Sequence, residues 1–297
     1  MLKRLPLLCA ALLALAACSQ NNGAAESTAP VTADTSSSAE AAPAASAAPA
    51  EAPAAPADAT AEAPAEAASS TPATPDAPAE TAPAVAAAPF VDNGKWIEGK
   101  NYFLIEPAQP TSHPGKIEVT EVFSYGCPAC NAFHSTVSRI AETLPSNAVM
   151  NYLAASFRPD ENWPVYQRAF YAAQALGVAE KTHDAMFDAT WKTGETSTYN
   201  LKGAGLKPHD AWPTIETLAQ FYAKHGVDPQ EFIGVANSFS VNTQMKRADD
   251  LMKAYGVDST PTMIVNGKYR YTAASAGGYA QTIELTQWLV SKEAAGK

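Results

Sequence analysis

The chain has little cysteine, few basic residues and no apolar run long enough to cross a bilayer. Its 297 residues include four Cys, 20 Lys and Arg, and 30 Asp and Glu, for a net charge of −10. This acidic balance excludes a basic protein that binds nucleic acid through its charge. A membrane-spanning helix needs about 20 apolar residues, whereas the apolar run at 5–17 has 13, so a multi-pass membrane protein is also excluded.

Residues 21–89 lack aromatic residues, lysine and arginine altogether. These 69 residues contain 30 Ala, 11 Pro and nine carboxylates. They show no apolar periodicity, and their prolines interrupt long helices. Such a segment cannot bury enough surface to offset its ordering entropy. We therefore expect 18–89 to be a disordered or polyproline-like tether. The remaining 208 residues, 90–297, hold 21 acids and 18 bases and are long enough for one compact globular unit.

Residues 1–17 are typical of a signal peptide, with two basic residues ahead of the apolar run. The run ends in LAAC at 15–18, which resembles a bacterial lipobox, in which the thiol of Cys18 is lipidated and the leader is cut before it. An ordinary signal peptide that happens to contain cysteine is the alternative. The disordered tail that follows favours the lipoprotein form, with stable attachment through two or more acyl chains. Ser19, in place of Asp, is similar to a Gram-negative signal for the outer membrane.

The exported domain keeps only two of the four thiols. Cys9 leaves with the leader and Cys18 is used by the lipid, so Cys127 and Cys130 remain, in the motif CPAC. A zinc site would usually need a second ligand pair, which the sequence does not offer. A c-type haem would need His where Asn131 stands. A structural disulfide across two residues would remove little loop entropy. Redox chemistry without a metal or dissociable cofactor is the remaining interpretation.

The flanking pattern places this motif where a strand turns into a helix. Residues 117–123 are predicted to form a strand, and Pro128 suits the first helical position, where its missing N–H is not needed. The apolar positions that follow recur at helical spacing: Cys130, Phe133, Val137, Ile140 and Leu144. Free backbone N–H groups and the helix dipole would favour the thiolate of an exposed Cys127. Cys130, one turn into the apolar stripe, is expected to be buried.

The rest of the domain is predicted as a strand, a helical block, a hairpin and a final helix. The predicted segments are a strand at 149–157, helical stripes between 165 and 255, a hairpin at 262–271 and a helix at 278–292. Asn266-Gly267 at the centre of the hairpin predicts a type I′ turn. The order is βαβ, helices, ββα.

That order, together with three sequence segments, resembles the DsbA family of periplasmic thiol:disulfide oxidoreductases. The segments are GKNYFLIEPAQP at 99–110, EVFSYGCPACNAF at 121–133 and DSTPTMIVNGKYRY at 258–271. The resemblance implies an α/β protein with a thioredoxin fold and an inserted helical domain. It places the thioredoxin part at about 95–160 and 257–295, and the insertion at about 161–256.

The resemblance also assigns roles to residues. Cys127 would attack and form mixed disulfides, and Cys130 would resolve them. Pro261 matches the family's cis-proline beside the disulfide. Thr260, by the same match, would offer its backbone to a substrate peptide in strand-like pairing.

Glu121 matches an acid that the family often buries below the thiols, where it could relay a proton to or from Cys130. The alternative for Glu121 is a solvated strand end. Asn151 stands where the family often has a lysine partner for this acid, which weakens the relay. Ala129 replaces a histidine found in some relatives, so we expect this protein to be less oxidising than those relatives. His134 is expected to pack or to face solvent.

The resemblance implies a disulfide donor for reduced exported proteins, located in the periplasm and reoxidised by a membrane protein of the DsbB type. A lipid anchor would hold it at a membrane, with the outer membrane favoured. Two alternatives remain: a reductase or isomerase on the same scaffold, and a non-enzymatic lipoprotein that binds extended peptides beside Pro261.

Overall fold

The structure is a computed structural model and describes residues 88–297. The predicted signal peptide, the lipidation site at Cys18 and nearly all of the predicted tether lie outside the described residues. None of the helices within 88–297 is both long and apolar enough to cross a bilayer.

Five strands form one mixed sheet, in the order β1-β5-β4-β2-β3. The strands are β1 Phe103–Leu104, β2 Ile117–Phe123, β3 Ala148–Ala154, β4 Thr262–Val265 and β5 Tyr269–Tyr271. The central strand β2 pairs in parallel with β3 and antiparallel with β4. It is buried over almost its whole length, as expected for a strand covered on both faces.

The described part of the chain contains eight α-helices. They are α1 Pro128–Thr143, α2 Trp163–Ala175, α3 Ala179–Trp191, α4 Ile215–Ala223, α5 Pro229–Ala236, α6 Phe239–Tyr255, α7 Ala273–Ala276 and α8 Tyr279–Ala294. Helices α2 to α6 all lie between β3 and β4 in the chain, so a helical block is inserted between two strands of the same sheet.

Consecutive apolar residues of one β-strand pack into two different hydrophobic cores. In β4, Met263 packs in the same core as Ile140 of α1 and Leu285 of α8. Ile264, the next residue, joins the core that contains most of the helical block. This division follows from the alternation of side chains along a strand. The predicted α/β fold class is thereby confirmed.

The hairpin turn has the predicted geometry. Asn266 and Gly267 have φ values of 52° and 65°, both positive as a type I′ turn requires. The Lys268 N–H donates to the Val265 carbonyl oxygen at 3.0 Å. A Cβ on Gly267 would lie 2.1 Å from the Gln109 carbonyl oxygen, so packing as well as backbone conformation demands glycine here.

The structure differs from the predicted elements at three places. Strand β3 ends at Ala154 instead of continuing to 157, because the chain turns away from the sheet into a 3₁₀ turn at Pro159–Glu161. The sequence prediction contained neither β1 nor α7. With two and four residues, both are too short to show a periodic pattern.

Candidate active site at the start of helix α1

Cys127 is the N-cap residue of α1, and Pro128 occupies the first turn. Its backbone is extended, with φ −89° and ψ 117°, and its Sγ accepts a hydrogen bond from the Cys130 N–H at 3.2 Å. The Cys127 N–H donates to the Ser124 carbonyl oxygen at 3.0 Å. A tight turn after β2 therefore delivers the sulfur to the free N–H groups of the helix. Both cysteines are thiols in this structure.

The pKa of Cys127 is lowered to about 6, from an ordinary thiol value of 9.0. The largest cause is a hydrogen bond from the Cys130 thiol, which burial opposes. Smaller contributions come from Thr260 and then from the backbone N–H groups of Cys130 and Ala129. The direction agrees with the sequence prediction, but the order of causes differs: the neighbouring thiol contributes more than the helix terminus.

Access to the two sulfurs differs less than expected. Cys127 is 4% exposed, whereas Cys130 is completely buried. The expectation of an openly exposed Cys127 is thus wrong, because residues from other parts of the fold close over it. The contrast in protonation is much larger. Burial, followed by the hydrogen bond to Cys127, raises the pKa of Cys130 well above its ordinary value. One sulfur is a thiolate at neutral pH while the other stays protonated.

Thr260 and Pro261 lie beside this pair. The Thr260–Pro261 peptide bond is cis, as the family resemblance implies. The Thr260 carbonyl oxygen lies 3.7 Å from the Cys127 Sγ, and β4 begins at the next residue after the proline. The segment before β4 therefore forms one wall of the site.

Glu121 is completely buried in the middle of β2. Neither of its carboxylate oxygens has a hydrogen-bond partner among residues 88–297. Burial, and secondly the negative charge of Cys127, raises the pKa of Glu121 well above its ordinary value. The alternative of a solvated strand end is thereby wrong, and the side chain is a neutral acid near the two sulfurs.

Asn151 does not replace the family's lysine beside Glu121. Its side chain donates to Glu118 Oε1 at 3.3 Å and to Thr120 Oγ1 at 3.2 Å, on the opposite face of β2. In the parallel register, Tyr152 is the β3 residue opposite Glu121. The mismatch arises because a shift of one residue along a strand changes the face.

Aromatic side chains of the helical block surround the motif, and sequence reasoning did not assign them to the site. A Cβ on Gly126 would lie 3.0 Å from ring carbons of both Trp163 and Tyr166. The Trp191 indole N–H donates to the Tyr125 carbonyl oxygen at 2.8 Å. Glycine directly before the first cysteine was the available signal for such close packing.

Behind these rings, buried His183 is hydrogen-bonded through Nδ1 to the Tyr125 hydroxyl at 2.9 Å. Burial lowers the pKa of His183 to about 3, so the ring is neutral. His134 packs against Phe187 with ring centroids 4.3 Å apart and donates to Asp184, as expected for a residue that does not act on a thiol. No group of three His, Cys, Asp or Glu side chains that could hold a metal occurs in the described part of the chain.

A CxxC motif at the start of the first helix, next to a cis-proline that directly precedes an antiparallel strand, defines a thioredoxin-fold protein with a dithiol site. A family model described as Thioredoxin matches residues 114–284, more than half of the chain. The chain is 39% identical over 200 residues to the thiol:disulfide interchange protein DsbA of Pseudomonas aeruginosa, which covers 67% of this chain and 87% of the relative.

A second relative and a solved structure agree. The DsbA protein of Azotobacter vinelandii is 35% identical over 195 residues, covering 66% of this chain and 83% of that protein. The crystal structure of P. aeruginosa DsbA superposes with a TM-score of 0.58 at 37% identity, covering 69% of this chain and 97% of that one. The chain belongs to the DsbA family and is a thiol:disulfide oxidoreductase.

Proposed function

We propose that the protein donates its Cys127–Cys130 disulfide to reduced exported proteins. The observation that carries this proposal is the lowered pKa of Cys127 beside a Cys130 whose pKa is raised. A stabilised thiolate favours the dithiol form, so the disulfide is surrendered readily and the protein acts as an oxidant.

The reaction runs through a mixed disulfide. A substrate thiolate attacks the Cys127 Sγ and forms a new S–S bond, while the Cys127–Cys130 bond breaks and Cys130 leaves as a thiolate. A second substrate thiolate then attacks the substrate sulfur of the mixed disulfide. Cys127 departs as a thiolate, the substrate is oxidised by two electrons, and the protein is left as the dithiol.

Glu121 would supply the proton that the departing Cys130 requires. Its carboxyl is buried, and burial followed by the charge of Cys127 raises its pKa, so the acid holds a proton that it can give. Glu121 would act as a relay: it protonates Cys130 and then takes up a proton from solvent, so it is again neutral in the dithiol state, and the proton of Cys130 leaves by the same route on reoxidation. The test is the pH profile of the reaction: Glu121→Gln should slow the release of Cys130 while the pKa of Cys127 changes little.

Thr260 and Pro261 would hold the substrate peptide beside the sulfur. The backbone of the Thr260–Pro261 segment lies next to the Cys127 Sγ and leads directly into β4, so an extended peptide can pair with it as an added strand. This arrangement presents the substrate cysteine to Cys127 without requiring a particular sequence around it.

The remaining proposals concern location and the redox partner. Residues 1–17 would be a lipoprotein signal peptide, Cys18 the lipidated residue and 18–89 the tether for a domain at 90–297 in the periplasm. Ser19 supports the outer membrane. Labelled palmitate should be incorporated by the wild-type chain, and Cys18→Ser should abolish the label. A DsbB-type membrane protein would restore the disulfide.

The equilibrium with glutathione tests the direction of the reaction. A readily reduced disulfide supports the oxidase, whereas a bridge that resists reduction would favour the reductase alternative. Activity toward scrambled ribonuclease would identify an isomerase. Cys127→Ala should abolish oxidation of reduced substrates; if the variant kept its function, the protein would be a non-enzymatic peptide binder.

A further inference from the structure

A cavity of about 360 Å³ lies between the segment that follows β3 and the C-terminal end of α6. Phe157, Met252 and Val257 supply apolar walls, and two carboxylates, Asp249 and Asp258, also line it. The volume is at the lower end of the roughly 300–1,000 Å³ typical of ligand pockets, which suits one long side chain.

On both sides of this cavity, one or two residues connect its lining to the neighbourhood of the Cys127 sulfur. On one side, Phe157 packs against Trp163 with ring centroids 5.1 Å apart, and Trp163 packs against Gly126, the residue before Cys127.

On the other side, Asp258 is two residues before Thr260, whose carbonyl oxygen is 3.7 Å from the Cys127 Sγ. Two peptide units span at most about 7.6 Å between Cα atoms. A substrate whose cysteine bonds Cys127 beside Thr260 would therefore have residues one to three positions away within reach of Asp258.

The charge of the lining favours a cation. The Asp249 Oδ1 accepts hydrogen bonds from Ser156 Oγ at 2.7 Å and from Gln167 Nε2 at 2.9 Å, which hold the carboxylate in place. Lys253 also lines the cavity, but its Nζ pairs at 3.7 Å with Asp250, a residue that does not line the cavity. The two carboxylates and this single lysine therefore give the lining a net negative charge.

We propose that this cavity binds an arginine or lysine side chain of the substrate polypeptide, close to the substrate's cysteine. The apolar walls would cover the aliphatic stem, and Asp249 and Asp258 would receive the cationic end, as amphipathic side chains commonly bind. This inference rests on the proposed oxidase function and adds a preference for basic sequence next to the cysteine that is oxidised.

The test measures how fast reduced single-cysteine peptides react with the oxidised full-length chain. One peptide position at a time, up to three residues on either side of the cysteine, carries arginine, neutral citrulline, leucine or glutamate. At one position arginine should react about 3–10 times faster than citrulline, the range for one or two partly exposed ion pairs. High salt should reduce this ratio.

The ratio of the arginine rate to the citrulline rate should fall to about one in the double variant Asp249→Asn/Asp258→Asn. It should persist in the double variant Asp188→Asn/Asp210→Asn, which removes the same charge from two residues that do not line the cavity. If the double variant does not fold, the single variant Asp258→Asn, which alters only an exposed residue, takes its place in the same comparison.

Three results would overturn the inference. An unchanged arginine-to-citrulline ratio in the cavity variants would show that the acids do not select the substrate. Faster reaction of leucine than arginine at every position would show that the cavity is an apolar subsite. Failure of every peptide to react would instead refute the oxidase function itself, and the inference with it.

Discussion

The stability of the reduced protein should depend on pH through Cys127. The thiol pKa falls from 9.0 to about 6 in the folded state, and one pK unit corresponds to about 1.4 kcal/mol. Full ionisation above pH 9 therefore stabilises the reduced fold by about 4 kcal/mol, and about 1.4 kcal/mol of this is present at pH 7. Because the folded pKa is the lower one, the stabilisation is lost as pH falls through 6.

The same free energy sets part of the oxidising power. For a two-electron couple, about 1.4 kcal/mol corresponds to roughly 30 mV. At pH 7 the thiolate of Cys127 thus makes the disulfide a moderately better oxidant. That Ala129 makes this chain less oxidising than relatives with histidine at that position stays a prediction.

The assay is urea unfolding under reducing conditions at pH 5, 7 and 8, with Cys127→Ser as the reference. Subtracting the variant removes most of the contribution of Glu121, which has the opposite sign. The difference in unfolding free energy should grow by about 2.7 kcal/mol between pH 5 and pH 8. A difference that stays constant across this range would refute the thiolate argument.

Three further changes test other parts of the site and fold. Glu121→Gln should stabilise the protein progressively above pH 4.5, by up to about 1.4 kcal/mol per pH unit, because the wild-type acid must stay protonated when folded; equal urea midpoints for both proteins at pH 5 and pH 8 would contradict this. Ala129→His should lower the pKa of Cys127 by about one further unit, measured from the rate of iodoacetamide alkylation against pH, and an unchanged profile would count against a charge effect. Gly267→Ala should cost about 1–3 kcal/mol more than Gly226→Ala, which has a similar positive φ but open space at its Cβ; equal losses on urea unfolding would show that the close contact is unimportant.

Much of the fold could be predicted because the information is local. Strand β2 has its predicted limits, and α1 begins at Pro128 and ends just before Pro145, since proline and apolar periodicity act over a few residues. The type I′ turn follows from Asn266-Gly267 alone. The short elements β1 and α7 could not be predicted, because β1 depends on pairing with β5 and neither element carries a periodic signal of its own.

The candidate site could likewise be predicted only where the information is local. The sequence by itself determined that residues 90–297 hold one pair of thiols, that they lie at the start of a helix, and that Thr260-Pro261 belongs beside them by resemblance. Only the tertiary structure decided that Cys127 is almost enclosed and that Glu121 is wholly buried. It also decided that the Asn151 side chain lies on the opposite face of the sheet from Glu121. Burial and long-range contacts depend on which distant segments meet, and aromatic residues of the helical block reach the motif only once the chain has folded.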